Sequence, residues 1–261
     1  MTLLVGILCN DEIVIATDQQ VTLGALGAPT VGQAGTKATI INGQAIYASS
    51  GAVGVGQQIC AGIAAELGKF GQSTYHASAQ LVQKRIRDIL VPTFDVANKA
   101  APVIGLQAAQ MDALCSSVLA ARFQDGVRLI DINVQGGFEA LTNESVPFVC
   151  HGSGKANADP FLRYLWNVYW KDRPPTFKEA ILAAYWTVQA VIDLHTSGVG
   201  FGVDAFVLEK NAGKYRARQL ERAELQEHDE FIDAAESAMR SVRDRLSKPA
   251  ADATAVPLPA V

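Results

Sequence analysis

Thr2 directly follows Met1 in this chain of 261 residues. A threonine hydroxyl is a poor nucleophile near neutral pH and must lose its proton to a base as it attacks. A free α-amine suits that task, because its ordinary pKa of about 7.7 to 8.0 lies close to physiological pH. Removal of Met1 would therefore place a nucleophile and its base on one residue, whereas a retained Met1 would leave the amine as an amide.

Other residue types that often carry chemistry lack the spacing that their chemistry needs. The histidines form no H-E-x-x-H motif, which argues against a catalytic zinc ion. Ser49, Ser50 and Ser153 do not lie in G-x-S-x-G, the signature of α/β-hydrolases. The glycines between Gly51 and Gly56 do not follow the G-x-G-x-x-G pattern of a dinucleotide loop, and the cysteines form no C-x-x-C pair. The sequence therefore predicts neither a metal ion nor a cofactor.

The composition is typical of a globular protein that folds around a sizeable core. The chain is 49% hydrophobic and 18% charged. Its formal net charge of -4 offers no basic surface for nucleic acid or an anionic membrane. No apolar run reaches the roughly 20 residues that a bilayer span needs, and the start of the chain does not resemble a secretory signal. We expect a cytoplasmic protein with neither nucleic acid nor membrane as a partner.

Two blocks of strands, each followed by a pair of helices, must position the candidate residues. Strands are predicted in the first block at residues 3–8, 13–17, 36–41 and 44–49 and in the second block at residues 116–122, 127–134, 138–141 and 146–150. Helices are predicted at about 55–67, 76–98, 159–170 and 176–195. Asn42-Gly43 predicts a hairpin turn, residues 23–35 read as a Gly-, Ala- and Pro-rich loop, and Pro92 predicts a kink or break.

Two further strands, at residues 203–209 and 215–218, complete this pattern. Strand runs that alternate with helix pairs favour an α+β protein with antiparallel sheets covered by helices. We expect residues 1–221 to form one domain, residues 222–246 a charged helix and residues 247–261 a flexible tail. The apolar stripe of that helix is expected to dock on the domain or on a neighbouring subunit.

The beginning of the chain resembles a known family. Thr2-Leu-Leu-Val-Gly-Ile, followed by Ile13-Val-Ile-Ala-Thr-Asp18-Gln-Gln-Val-Thr22-Leu-Gly24, resembles the first two strands of proteasome β-type subunits, above all the bacterial subunit that works with a ring unfoldase. In that family the residue exposed by processing supplies both nucleophile and base. The resemblance implies that Thr2 has this role.

The same resemblance implies a charge pair beside the nucleophile. Lys37 stands where the family has a lysine at the start of the third strand, and Asp18 stands where it has the partnering aspartate. A lysine cation there would lower the pKa of the threonine hydroxyl and of the amine, and Asp18 would neutralise and orient it. The spacing between the two residues predicts an insertion in the loop around residues 26–33.

The resemblance also implies roles around the substrate. In Ser49-Ser50-Gly51 the glycine N–H would stabilise a developing oxyanion. Thr22 and Val53 would border the peptide groove, and Ser49 would shape the first side-chain pocket.

A second small-residue segment, His151-Gly152-Ser153-Gly154, matches the Gly-Ser-Gly of the family. Ser153 is therefore the candidate for a proton relay near the amine. The later Asp-x-x-Ser element of the family maps poorly, because Asp193 and Ser197 are separated by one residue too many, and no role is assigned to either.

Together these expectations describe a four-layer αββα sandwich of the N-terminal nucleophile class. The resemblance implies a threonine protease subunit that assembles into a ring or a related self-compartmentalising homo-oligomer, acts on peptides or unfolded proteins, and has an ATP-dependent unfoldase as a possible partner. Two alternatives stay open. One is an amidohydrolase of small non-peptide amides, and the other is a non-catalytic assembly subunit that retains Met1.

Overall fold

The helices and strands follow the predicted order, and three elements are added to it: a strand pair within residues 20–34 and a short helix at residues 106–111. The structure is a computed structural model that describes residues 2–25, 28–111, 113–142, 147–194 and 199–246. The strands in these ranges are β1 (Leu4–Cys9), β2 (Glu12–Asp18), β3 (Gln20–Ala25), β4 (Ala28–Ala34), β5 (Ala38–Ile41), β6 (Ala45–Gly51), β7 (Cys115–Phe123), β8 (Gly126–Ile132), β9 (Phe138–Ala140), β10 (Phe148–His151), β11 (Val203–Asn211) and β12 (Lys214–Gln219). The helices are α1 (Val53–Phe70), α2 (Tyr75–Ile104), α3 (Leu106–Met111), α4 (Lys155–Tyr169), α5 (Phe177–Asp193) and α6 (Arg222–Leu246).

The first sheet carries the start of the chain in its interior. Its strand order is β10-β1-β2-β11-β12, and every neighbouring pair is antiparallel. Every residue of β1 is buried, which explains why its sequence is a continuous apolar run rather than an alternation. Helix α5 contacts β1, β2 and β11, and α4 contacts α5 and β10. The residues directly before β1 are therefore anchored to a strand that is paired on both sides and covered by α5.

The second sheet has the order β5-β6-β7-β8-β9 and is also antiparallel. One apolar cluster draws on both five-stranded sheets and includes Leu4, Ile15, Ile46, Val118, Leu129 and Phe206. A second cluster draws on this sheet and on α1 and α2, and it includes Tyr47, Ile59, Ile63, Val82, Ile86 and Leu119. The expectation of an α+β protein with antiparallel sheets and helices packed on them is confirmed.

Both predicted hairpins of the first block are confirmed. β1 pairs with β2, and β5 pairs with β6 across a turn that contains Asn42 and Gly43. Asn42 has a φ of 53° and Gly43 a φ of 67°, the left-handed pair that an Asn-Gly turn favours.

The prediction of a loop at residues 23–35 is wrong, because β3 and β4 pair there as a separate two-stranded sheet. A segment rich in Gly, Ala and Pro lacks the alternation of apolar and polar side chains that usually indicates a strand. The two strands pair through backbone hydrogen bonds instead. Residues 26 and 27, the first two of the insertion expected around residues 26–33, lie outside the described residues.

Pro92 does not break a helix, since α2 runs through it and through Pro102. A proline within a helix removes one backbone donor, and packing of the apolar face can offset that loss. In α2 this face includes Val82, Ile86 and Leu90, which are buried.

The chain divides into a unit ending at Leu220 and a second unit beginning at Glu221. α6 belongs to the second unit, and its bounds agree with the helix predicted at residues 222–246. None of the helices that the structure describes is long and apolar enough to cross a membrane.

Candidate active site

Thr2 lies just before β1, and the segment that follows β10 holds it there. Its backbone N–H donates to Ser153 Oγ at 3.3 Å, and its carbonyl accepts from Gly154 N at 3.3 Å. Gly152 has a φ of 98°, and a Cβ there would lie 2.0 Å from the Thr2 carbonyl oxygen. Only glycine tolerates both the conformation and the contact. The Gly-Ser-Gly segment thus lies against Thr2. Within it, the Ser153 hydroxyl accepts the hydrogen bond described for the Thr2 nitrogen.

Asp18 ends β2 and is completely buried. One of its carboxylate oxygens accepts from Leu3 N at 2.7 Å, and the other accepts from Gln20 N and Gly200 N, each at 3.2 Å. These three backbone donors stabilise the charged form of a carboxylate that has no access to water. Because Leu3 N belongs to the peptide unit that begins at Thr2, the carboxylate also fixes the position of Thr2.

Lys37 lies directly before β5, and only 6% of its side chain is exposed. Its Nζ is 2.5 Å from Asp18 Oδ1, so the charge pair that the family resemblance implies is present. Burial lowers the pKa of Lys37, and the charge and hydrogen bond of Asp18 oppose that decrease. A buried charge is screened less than one in water, so the Lys37 ammonium acts more strongly on groups beside it.

A cavity of about 650 Å³ opens beside Thr2. Its wall is formed by residues of β5, β6 and α1 together with Thr2. The residues that line it are Thr2, Val21, Thr36, Lys37, Thr39, Ile40, Ile41, Asn42, Tyr47, Ser49, Gly51, Val53, Gly56, Gln57, Cys60, Ala61 and Ala64. Thr2, Lys37, Ser49, Gly51 and Val53 were all singled out from the sequence, and the structure brings them to one cavity.

Gly51 closes β6 in a conformation that other residues avoid. Its φ is 109°, and a Cβ there would lie 2.2 Å from the Leu114 carbonyl oxygen. The following residue, Ala52, caps α1 without a side-chain hydrogen bond. The first turn of α1 therefore presents backbone N–H groups that no capping side chain occupies, which favours negative charge at this end of the cavity.

The structure gives no further support for a role of Thr22 or of the Asp-x-x-Ser candidates in the site. Thr22 lies on β3, and its side chain is outside the described part of the structure. Asp193 is exposed at the end of α5 and accepts from Gln189 at 2.8 Å, whereas Ser197 lies outside the described residues. Among the residues that the structure describes, no group of His, Cys, Asp and Glu side chains could hold a metal ion.

Asp204 is a residue of this region that the sequence reasoning missed. It lies on β11, is nearly buried, and accepts from Gln19 at 2.7 Å and from Gln219 at 3.2 Å. The Thr36 hydroxyl donates to its other oxygen at 3.5 Å. The sequence did contain a signal for this residue, since Asp204 interrupts the apolar run of β11. A carboxylate in a buried strand is rare unless it has hydrogen-bond partners, so its presence indicates a polar role.

The partners of Asp204 explain its place in the site. Gln19 follows Asp18 along the chain, and Thr36 precedes Lys37. Asp204 therefore ties together the two segments that carry the buried charge pair. We assign it a positioning role rather than a catalytic one.

Comparison with known proteins supports the fold. No family model matches the sequence, and no curated protein matches it. Among solved structures, the chain is similar to the Anbu (Gly-1) mutant from Hyphomicrobium sp. strain MC1, with a TM-score of 0.65 and 16% sequence identity. The match covers 95% of this chain and 99% of that chain. At this level of identity the likeness concerns the fold alone, and that fold is proteasome-like.

Proposed function

We propose that the protein is a threonine endopeptidase subunit that uses Thr2 after Met1 has been removed. The observation that carries the proposal is the cavity that Thr2 and Lys37 line, with the Lys37 ammonium held by the buried carboxylate of Asp18. A buried ion pair is costly to desolvate, and ionisable groups with a shifted pKa, such as Lys37, cluster at functional sites. The proteasome-like fold supports the same class of hydrolase.

The proposed reaction proceeds in two halves. Thr2 Oγ1 attacks a peptide carbonyl, and its proton passes to the Thr2 amine, assisted by Ser153. The Gly51 N–H stabilises the oxyanion, and collapse of the intermediate breaks the C–N bond as the leaving amine takes the proton. An ester on Thr2 remains. Water then attacks the ester, the amine accepts its proton, and Thr2 is restored as the acid product leaves.

Lys37 and Asp18 act on the nucleophile without forming a bond to the substrate. The Lys37 ammonium lowers the pKa of the Thr2 hydroxyl and of the amine, which favours the attacking form of both groups at neutral pH. Asp18 holds Lys37 in place and holds the backbone at Leu3. Asp18 is therefore a positioning residue.

The remaining parts of the proposal follow from the family resemblance and the fold. The antiparallel sheets with helices packed on them would be the four-layer αββα sandwich of the N-terminal nucleophile class. Copies of the chain would assemble into a ring or related self-compartmentalising oligomer in the cytoplasm, with active sites facing an enclosed chamber. Peptides or unfolded proteins would be the substrates, delivered where needed by an ATP-dependent unfoldase.

The test combines intact-mass measurement with covalent labelling. Protein purified from its native cells is weighed and then treated with a threonine-directed electrophile. Loss of Met1 and a single adduct on Thr2 are expected in the wild type. Thr2→Ala should lose the adduct, whereas Thr2→Ser should keep it because serine retains a hydroxyl at the same position.

Two outcomes would contradict the proposal. Retained Met1 without an adduct would instead favour the non-catalytic assembly subunit. An adduct on Thr2, combined with turnover of small amides and none of a peptide panel, would favour the amidohydrolase of small non-peptide amides. The same scaffold can host either substrate class, so only turnover separates them.

A further inference from the structure

His151 and Asp131 form a hydrogen-bonded pair that joins the first sheet to the second. His151 is the last residue of β10, and Asp131 is the last but one of β8. The His151 Nε2 atom is 2.7 Å from Asp131 Oδ1, and the two side chains are 12% and 29% exposed. An ionised carboxylate only accepts hydrogen bonds, so the imidazole donates through Nε2.

The alternation of side chains along a strand explains why both residues face the opposite sheet. Leu129 and Val149 belong to the apolar cluster that draws on both sheets. Asp131 follows Leu129 by two residues, and His151 follows Val149 by two, so each lies on the same face as the apolar residue before it. The pair thus continues the layer between the sheets as a polar contact at its end.

The segment that holds Thr2 begins directly after His151. Gly154 N donates to the Thr2 carbonyl and Thr2 N donates to Ser153 Oγ, both at 3.3 Å, which is longer than most hydrogen bonds of this kind. This segment follows β10, the outermost strand described in the first sheet. Because the two bonds to Thr2 are long, the position of Ser153 depends on what fixes the start of the segment.

The bond between His151 and Asp131 fixes that start relative to the strand that carries Gly51. In the second sheet, Asp131 of β8 lies in register with Val118 of β7, and Val118 lies in register with Ala48 of β6. Ala48 directly precedes Ser49-Ser50-Gly51. The pair therefore links the segment of the proposed proton relay to the sheet that carries the proposed oxyanion donor.

The charges around Asp131 make the imidazole donor necessary. Glu139 lies directly opposite Asp131 on β9, and like charges in such a position repel each other. Lys155 lines the same cavity as Asp131, but its ammonium is paired with Asp159 at 2.9 Å. Among the hydrogen bonds described for the Asp131 side chain, the donor is His151. Without His151 the carboxylate would turn to water, and β10 would lose this link to β8.

We propose that His151 and Asp131 are positioning residues for the reaction at Thr2. Their hydrogen bond fixes the start of the Gly152-Ser153-Gly154 segment and thereby keeps Ser153 Oγ within reach of the Thr2 nitrogen. The pair acts through Ser153 rather than on the substrate. Its effect on the reaction rests on the proposed function, whereas its effect on the geometry of the segment does not.

The first experiment measures the rate of Thr2 labelling as a function of electrophile concentration. His151→Leu should lower the maximum rate about tenfold, which is part of the hundredfold or more that a positioned proton-transfer group contributes. The electrophile concentration at half-maximal rate should stay the same, because His151 does not line the cavity beside Thr2. His151→Gln should recover most of the rate, since its amide nitrogen takes the place of Nε2 and donates to Asp131.

His76→Leu is the matched control for this substitution. His76 is an exposed histidine of α2 whose ring contacts Gln80 at 3.2 Å. The control should label at the wild-type maximum rate. A wild-type maximum rate in His151→Leu, or a failure of His151→Gln to recover the rate, would overturn the inference.

A double-mutant cycle tests whether the two residues act through their hydrogen bond. Asp131→Ala removes the same bond from its more exposed partner and should slow labelling by the same factor as His151→Leu. The double variant should be no slower than either single variant, because the bond is lost only once. Additive effects would overturn the inference. A lowered Tm with unchanged labelling in both single variants would do the same, since the pair would then serve stability alone.

Hydrogen exchange separates the failure of this inference from that of the proposed function. If wild-type protein forms no adduct on Thr2, the proposed function fails, but the geometry of the segment is still measurable. The Gly154 N–H should exchange about tenfold faster in His151→Leu and Asp131→Ala than in the wild type or in His76→Leu, because local opening controls exchange. Unchanged exchange at Gly154 in both variants would overturn the inference.

Discussion

Two charge pairs of nearly equal length lie in different environments of this protein. Lys37 Nζ is 2.5 Å from Asp18 Oδ1, and the two side chains are 6% and 0% exposed. Arg173 holds Glu179 through two contacts of 2.6 and 2.7 Å, but these side chains are 56% and 31% exposed. The first pair places Lys37 in the wall of the cavity beside Thr2, and the second lies at the N-terminus of α5.

The difference in burial gives the two pairs different roles. A buried pair loses the solvation of both ions, so it adds little net stability, yet removing one partner strands the other charge. An exposed pair that also completes a helix cap contributes modestly and is screened by water. In the second case the Glu179 carboxylate accepts from Thr176 N at 2.7 Å and so belongs to a capping box. The first pair therefore serves the site, whereas the second serves the helix.

The largest expected effect is on activity at the buried pair. Lys37→Met should lower the rate of Thr2 labelling by about a thousandfold, because the cation that lowers the pKa of the nucleophile is lost. The free energy of unfolding should fall by about 3 kcal/mol, since Asp18 keeps its backbone donors but loses its countercharge. Arg173→Met is the matched control and should label at the wild-type rate. A wild-type rate of Thr2 labelling in Lys37→Met would mean that the buried pair does not serve the site any more than the exposed pair does.

A smaller effect is expected at Asp204, which holds together the two segments that carry the buried pair. Asp204→Asn should slow Thr2 labelling by about tenfold and lower the free energy of unfolding by about 1 to 2 kcal/mol, because an amide group replaces an oxygen that accepts from Gln19 or Thr36. Urea unfolding and labelling kinetics measure the two quantities. Asp159→Asn, at an exposed carboxylate beside Lys155, is the control and should change neither. Equal effects of the two substitutions would argue against a positioning role for Asp204.

The smallest effect concerns the exposed pair and depends on pH. The hydrogen bond of Arg173, together with those of Thr176, lowers the pKa of Glu179 from 4.5 to about 2, against the opposing effect of desolvation. A carboxylate whose pKa falls on folding stabilises the fold above the unfolded value, and this stability is lost as the pH falls from 4.5 toward about 2. Glu179→Gln should cost about 1 kcal/mol at neutral pH, after allowance for solvent screening.

Thermal unfolding of wild type and Glu179→Gln across this acid range measures the effect. The difference in Tm should shrink as the pH falls, while labelling of Thr2 at neutral pH stays the same. A difference that is constant with pH would show that the capping geometry, rather than the charge, stabilises α5.

Much of the fold could be read from local patterns. The Asn42-Gly43 turn, the apolar runs of β1 and β2 and the helical spacing after Gly51 each depend on neighbours in the chain, so they were predictable. The β3–β4 sheet was missed because its pairing is carried by the backbone of a segment rich in Gly, Ala and Pro. The continuation of α2 through Pro92 was missed because the packing of its apolar face offsets the lost backbone hydrogen bond.

The candidate site divides in the same way. By itself the sequence determined which residue types were present in family-like order: a threonine after Met1, Asp18, Lys37, Gly51 and Ser153. Only the tertiary structure decided that Thr2 contacts Ser153 and that Lys37 reaches Asp18. It also revealed the contacts of Asp204. The physical reason is that hydrogen bonds, ion pairs and desolvation act over a few ångströms in space, between groups that the chain separates by up to 185 residues, as for Gln19 and Asp204.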